Sequence, residues 1–147
     1  MSNLAGSQMA TAILLIAHGS RRAEANAELE WVAARLQERL PGFFVEHAYL
    51  EIAEPTIAQG IARCLEHGVS SVILVPYFLS AGRHVREDLE SARAQAAHQY
   101  PQAKFFLAEA LGPHDLLVEL MVLRIQEVLK NSPAAIPPVP PETSHAG

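Results

Sequence analysis

An uninterrupted apolar run, Ala12-Ile-Leu-Leu-Ile-Ala17, breaks without transition into His18-Gly19-Ser20. Six apolar residues with no polar alternation leave no face for water. The run therefore predicts a strand covered on both sides, the condition of a parallel sheet held between helices. The period then changes. Apolar residues return at Ala25, Leu29, Val32, Ala33, Leu36 and Leu40 and stop at Pro41-Gly42, which predicts a helix over residues 23–40. A second strand, residues 43–50, leads to Glu54-Pro55-Thr56, which opens a helix with Ile57, Ile61 and Leu65 on one face and Gly68 as its stop. Val72-Ile-Leu-Val-Pro-Tyr-Phe78 is the third apolar run, with Pro76 marking its C-terminal end. It is followed by the loop Leu79-Ser-Ala-Gly-Arg83 and a helix carrying Val85, Leu89, Ala92, Ala96 and Tyr100. Residues 103–108 form a fourth strand, and Gly112-Pro113 introduces a last helix that reaches Lys130.

The order βαβαβαβα predicts a doubly wound, four-stranded parallel α/β sheet with right-handed crossovers. With strands in the order 2-1-3-4, the winding reverses between strands one and three, and ligands are expected at their carboxyl ends. The 147 residues suit one domain, residues 12–131, between a flexible N-terminus (1–11) and a disordered tail (132–147) built around Pro137-Pro-Val-Pro-Pro141. No apolar stretch approaches the ~20 residues that span a bilayer. The N-terminus lacks the basic start of a signal peptide, so a cytoplasmic protein without membrane contact is expected. A net charge of −5 excludes a general nucleic-acid surface. Cys64, the single cysteine, sits among apolar helical residues and reads as packing. The last helix, residues 116–129, is apolar nearly all round, which calls for cover: a second subunit first, with deep packing or cover by the tail as the alternatives.

Chemistry concentrates at the expected ligand edge. His18 sits on a sharp loop beside a helix N-terminus, a setting that suits an anion or a metal, or a simple hydrogen bond within the loop. His84 belongs to the loop after strand three, and Glu51 closes strand two, where it can equally favour the dipole of the following helix. Two imidazoles and a carboxylate hold a divalent first-row ion while leaving positions open, and the same groups accept protons. His18, Glu51 and His84 are thus candidate metal ligands and candidate catalytic groups. Four of the eleven basic residues, Arg21, Arg22, Arg83 and Arg86, fall in the same two segments and point to an anionic small ligand or to solvated loop charge. Ser20, Ser80 and Gly82 share those loops as candidate substrate contacts. His114, at the start of the last helix, either contacts substrate or opens the helix. Tyr77 and Phe78 offer an apolar wall or core packing. Neither a Walker-type phosphate loop nor a Gly-x-Gly-x-x-Gly segment is present, so no permanently bound nucleotide cofactor is expected.

Ile13-Leu-Leu-Ile-Ala-His-Gly-Ser-Arg21 with Asn26, Ala48-Tyr-Leu-Glu-Ile-Ala-Glu-Pro55, and Val75-Pro-Tyr-Phe-Leu-Ser-Ala-Gly-Arg-His-Val85 with Asp88 resemble the short CbiX-type sirohydrochlorin chelatases, a class II tetrapyrrole chelatase family. The resemblance covers residues 12–130, and its motifs fall in order, Glu51 lying as far after His18 as His84 lies after Glu51. It implies ATP-independent insertion of a divalent metal, Co²⁺ or Fe²⁺ and also Ni²⁺, into sirohydrochlorin in cobalamin or siroheme biosynthesis, with the metal as substrate. It also implies that His18 and His84 bind metal or take protons, that Glu51 assists, and that the chain is half of a class II chelatase completed as a homodimer. A polycarboxylate macrocycle gives the arginines a purpose. Two positions depart from the family pattern: Arg83 stands where a small or apolar residue is common, and Glu90 where proline often follows Asp-Leu. A non-catalytic metal or tetrapyrrole carrier uses the same residues and stays open beside the enzyme. A phosphohistidine carrier fits less well, because Arg83-His84 replaces the acidic, glycine-rich segment of such domains. Histidine phosphatases require an arginine where this chain has Ala17.

Overall fold

The unbroken apolar run becomes an inner strand of the sheet. The computed structural model describes residues 10–131. Its elements are β1 (Thr11–Ala17), α1 (Ala23–Arg39), β2 (Phe44–Tyr49), α2 (Ile57–Glu66), β3 (Ser71–Pro76), α3 (Arg83–Gln99), β4 (Lys104–Leu107) and α4 (Asp115–Asn131). All pairings are parallel, as the alternating pattern predicts, and the strand order is β2-β1-β3-β4, the one for which a crevice between strands one and three is expected. Ile16 lies opposite Ala48 on one side and Pro76 on the other, so the C-terminal ends of the three strands are level. The expected flexible N-terminus, except its last two residues, and the proline-rich tail lie outside the described residues. No helix among those described is long and apolar enough to cross a membrane.

The sheet buries both faces of β1. On one face Ala12, Leu14 and Ile16 pack with Ala48, Val72, Leu74 and Phe105 in a core shared with Ile61 and Cys64 of α2 and Leu89 and Ala96 of α3. On the other, Leu15 and Tyr49 meet Leu29 and Ala33 of α1. Each fully buried leucine contributes about 2 kcal/mol by removal from water, so β1 anchors two layers at once. Gly60 lets α2 approach closely, because a Cβ there would stand 2.8 Å from both Ala48 and Leu14. The helix starts at a reciprocal cap: the Gln59 N–H donates to the Thr56 hydroxyl (3.2 Å), and the Thr56 N–H donates to the Gln59 side chain (2.8 Å).

One boundary differs from expectation. α3 begins at Arg83, with Gly82 as its N-cap, so Arg83 and His84 occupy the first helical turn rather than the preceding loop. By its contacts the chain forms two compact units, one through Gly112 and one beginning at Pro113 that carries α4. Within that unit α4 has no buried residue, and Leu116, Val118, Met121, Leu123 and Ile125 are each more than half exposed.

Cys64 is sealed in the core at 0 % exposure, and burial, with a smaller contribution from the Glu46 charge, pushes its thiol up to about 12. A thiol far above its ordinary range yields almost no thiolate, the reactive species. At pH 8 the native protein is expected to resist a thiol-specific reagent, and in denaturing urea it should take up one equivalent. Rapid labelling without denaturant would show that this core opens.

Candidate active site

The β1–β2 ladder runs past the strands for two more bonds. Leu50 N–H donates to the Ala17 carbonyl (2.9 Å) and Glu51 N–H to the His18 carbonyl (3.1 Å). Gly19 makes this closeness possible. Its φ of +101° is left-handed backbone, and a Cβ at that position would run into the Glu51 carbonyl oxygen. On the facing turn Ile52 also takes a positive φ, 72°. His18 and Glu51, separated widely in sequence, therefore leave the sheet side by side, and His18 Nε2 stands 2.8 Å from Glu51 Oε1. For that contact to be a hydrogen bond Nε2 must carry the proton, which leaves the Nδ1 lone pair free in the neutral ring. Both side chains are more than half exposed. Phe78 presents an edge-to-face contact to the His18 ring at 6.4 Å while packing against the core, the second of its two readings.

A second set of bonds holds the loop after His18. Ser20 N–H donates to Asn26 Oδ1 (3.0 Å), and Asn26 Nδ2 donates to the Ser20 carbonyl (2.8 Å). The Tyr49 hydroxyl, on a side chain only 2 % exposed, donates to the Asn26 carbonyl (2.7 Å). Burial, and then the Glu30 charge, raise the Tyr49 phenol above its ordinary range, which keeps it a donor. Together with Tyr77, these residues line a cavity of about 230 Å³ against the His18 loop. The Asn26 and Tyr49 contacts are missing from the sequence reading. Asn26 carries no apolar period, and Tyr49 reads as a strand residue whose partner lies 23 positions away.

The other candidates are placed as follows. The Ser20 hydroxyl accepts from Arg22 N–H (3.0 Å) and serves the loop itself. Arg21 and Arg22 are exposed, with Arg22 at the N-cap of α1. Arg83 pairs with Glu87 one turn along α3 (2.9 Å). Arg86 lines a cavity of about 220 Å³ with Pro76, Leu89 and Ala108. Ser80 and Gly82 are exposed in the turn before α3. His84 is exposed on the first turn of that helix. Among the described residues, no three His, Cys, Asp or Glu side chains gather closely enough to hold a metal ion. The structure thus brings His18 and Glu51 together and leaves His84 apart from them. Glu90 takes three hydrogen bonds from Arg93, which hold its carboxyl below the usual range, so the departure from proline has a local use on the helix surface. In the second unit, His114 Nδ1 accepts from Leu116 N–H (3.0 Å), the helix-opening role.

Residues 12–128 match the family model CbiX. The chain is 36% identical over 122 residues to sirohydrochlorin ferrochelatase, chloroplastic, of Arabidopsis thaliana, with 83% of this chain and 54% of that protein covered. It is 28% identical to sirohydrochlorin cobaltochelatase of Sulfurisphaera tokodaii, with 82% of this chain and 95% of the relative covered. It therefore spans about half the length of one relative and nearly all of the other. The crystal structure of the sirohydrochlorin chelatase SirB from Bacillus subtilis subspecies spizizenii in complex with cobalt superposes with a TM-score of 0.73 at 28% identity, covering 80% of this chain and 50% of that one. With four parallel strands in the same alternating fold and a family match over most of its length, the chain belongs to the CbiX family.

Proposed function

We propose that the chain inserts Co²⁺ or Fe²⁺ into sirohydrochlorin without ATP, in the cytoplasm, as a homodimer, and so serves cobalamin or siroheme biosynthesis. The observation that carries this reading is the exposed His18–Glu51 pair at 2.8 Å, in a family whose members include named ferro- and cobaltochelatases. The chemistry requires two pyrrole N–H protons to leave as metal–nitrogen bonds replace metal–water bonds. A site for it needs nitrogen and oxygen ligands of moderate hold and a proton acceptor close to them. His18 and Glu51 supply both kinds of group within one hydrogen bond. His84 is the further imidazole, joining when substrate is bound, and the basic side chains Arg21, Arg22 and Arg86 meet the carboxylates of the macrocycle. None of these steps calls on a nucleotide.

The exposed apolar surface of α4 supports the homodimer, because Leu120, Met121, Val122 and Ile125 present more apolar area to water than a monomeric helix ordinarily keeps. A second copy covering this surface would remove it from solvent and bring two half-sized chains to the length of the longer relatives.

Substoichiometric protein incubated with sirohydrochlorin and Co²⁺ or Fe²⁺, with no nucleotide, is expected to yield product in many-fold excess over protein, followed by the change in absorption. Product that stops at one equivalent would identify a carrier and defeat the enzyme reading. Glu51→Gln and His84→Ala are each expected to lower kcat by about 100-fold or more with little change in melting temperature, since both residues are exposed. An active His84→Ala protein would remove His84 from the site. Sedimentation equilibrium at micromolar concentration should show a dimer, and Met121→Glu with Ile125→Glu should convert it to monomer. A wild-type monomer would overturn the subunit arrangement.

A further inference from the structure

We infer that Asn26 is a positioning residue for His18, acting through a two-point clamp on Ser20 that Tyr49 anchors in the core. The clamp is one amide pairing with both polar groups of one backbone residue, at 3.0 and 2.8 Å, in the geometry that a neighbouring strand would otherwise supply. Ser20 lies past the end of β1, where the sheet no longer holds the chain. Without Asn26, the side of the loop facing α1 would be held to the body only by shorter-range contacts such as the bond from Arg22 N–H to the Ser20 hydroxyl.

The bonds close a circuit. His18 is tied through its carbonyl to Glu51 N–H, and Ser20 is tied through Asn26 to Tyr49, two residues before Glu51 in the same segment. Both ends of the His-Gly-Ser turn are therefore referred to residues 49–51, and the imidazole and carboxylate are held in register by backbone rather than by their own exposed contact. An exposed ion pair contributes only about 0–1 kcal/mol and cannot fix two side chains by itself. Positioning errors near 1 Å cost on the order of 100-fold in rate at sites of this kind.

The role rests on the proposed metal insertion, and its test separates the two. In the full chain, Asn26→Ala is expected to lower kcat with Co²⁺ about 10- to 100-fold with KM for sirohydrochlorin within about twofold, and to speed exchange of the Ser20 amide proton at least about tenfold. Tyr49→Phe should give a smaller loss that disappears in the Asn26→Ala background, because the bond from its hydroxyl to the Asn26 backbone carbonyl reaches Ser20 only through the side-chain amide that alanine lacks. Ile61→Ala, which weakens the core on the opposite face of the sheet from Tyr49, should lower melting temperature and leave kcat per folded molecule within about twofold. Fast Ser20 exchange in Asn26→Ala with unchanged kcat would overturn the inference, as would a kcat loss equalled by Ile61→Ala. If the wild type forms no product, the reaction is refuted and Co²⁺ alone becomes the probe. An affinity about tenfold weaker in Asn26→Ala then supports the clamp, and an unchanged affinity overturns it.

Discussion

Strand β1 has no wet face, and most of the architecture answers to that. A strand apolar on both sides must lie inside the sheet with helices above and below it, which forces β2 and β3 to flank it and the crossover helices to divide between the faces. The division reverses the winding beside β1, so the end of this strand borders the crevice of the fold. His18 is placed there because it is the first residue the apolar run cannot contain. The same burial that stabilises the sheet thus delivers an imidazole to its edge, and no separate scaffold is needed.

Close approach at that edge depends on glycine. With any side chain at position 19, the turn would collide with the Glu51 carbonyl, and the bond between Glu51 N–H and the His18 carbonyl would open. The His18–Glu51 contact is thus a consequence of backbone geometry. Because both side chains are more than half exposed, the pair adds little to stability and separates at small cost. That distinguishes it from the His67–Glu46 pair at the other end of the sheet, where the ring is also stacked on Phe44 at 4.3 Å and packing adds to the polar contact.

The alternation of apolar runs with helical periods was enough to read the parallel sheet and the three flanking helices, since both follow from which residues must leave water. The adjacency of His18 and Glu51 was legible for the same reason: each ends a neighbouring parallel strand. What periodicity does not carry is hydrogen bonding between polar groups distant in the chain. The two atoms of the Asn26 amide and the hydroxyl of Tyr49 act through individual polar contacts, and neither residue leaves a repeating pattern. Helix starts were blurred likewise. Gly82 caps α3 through backbone conformation, without a side-chain acceptor to announce it, and Arg83 falls inside the helix rather than before it. The separate unit carrying α4 was visible only as an excess of apolar residues, which reports a need for cover without naming what provides it.

The pairing of Nε2 with a carboxylate oxygen also bears on how the proposed transfer divides its labour. While the proton sits between His18 and Glu51, those two atoms are not both free for an ion, and the free lone pair of the ring is on Nδ1. On the proposed reaction, ligation by Nε2 requires that proton to move, to Nδ1 or to the carboxylate, so metal entry at this nitrogen would go with a proton shift at the same contact. A site meant to keep its metal surrounds it with four protein ligands and a dry shell. Two exposed donors make a weaker hold, which four macrocycle nitrogens can exceed. On the proposed reaction that weakness is functional, since the ion must be gripped long enough to shed water and then surrendered.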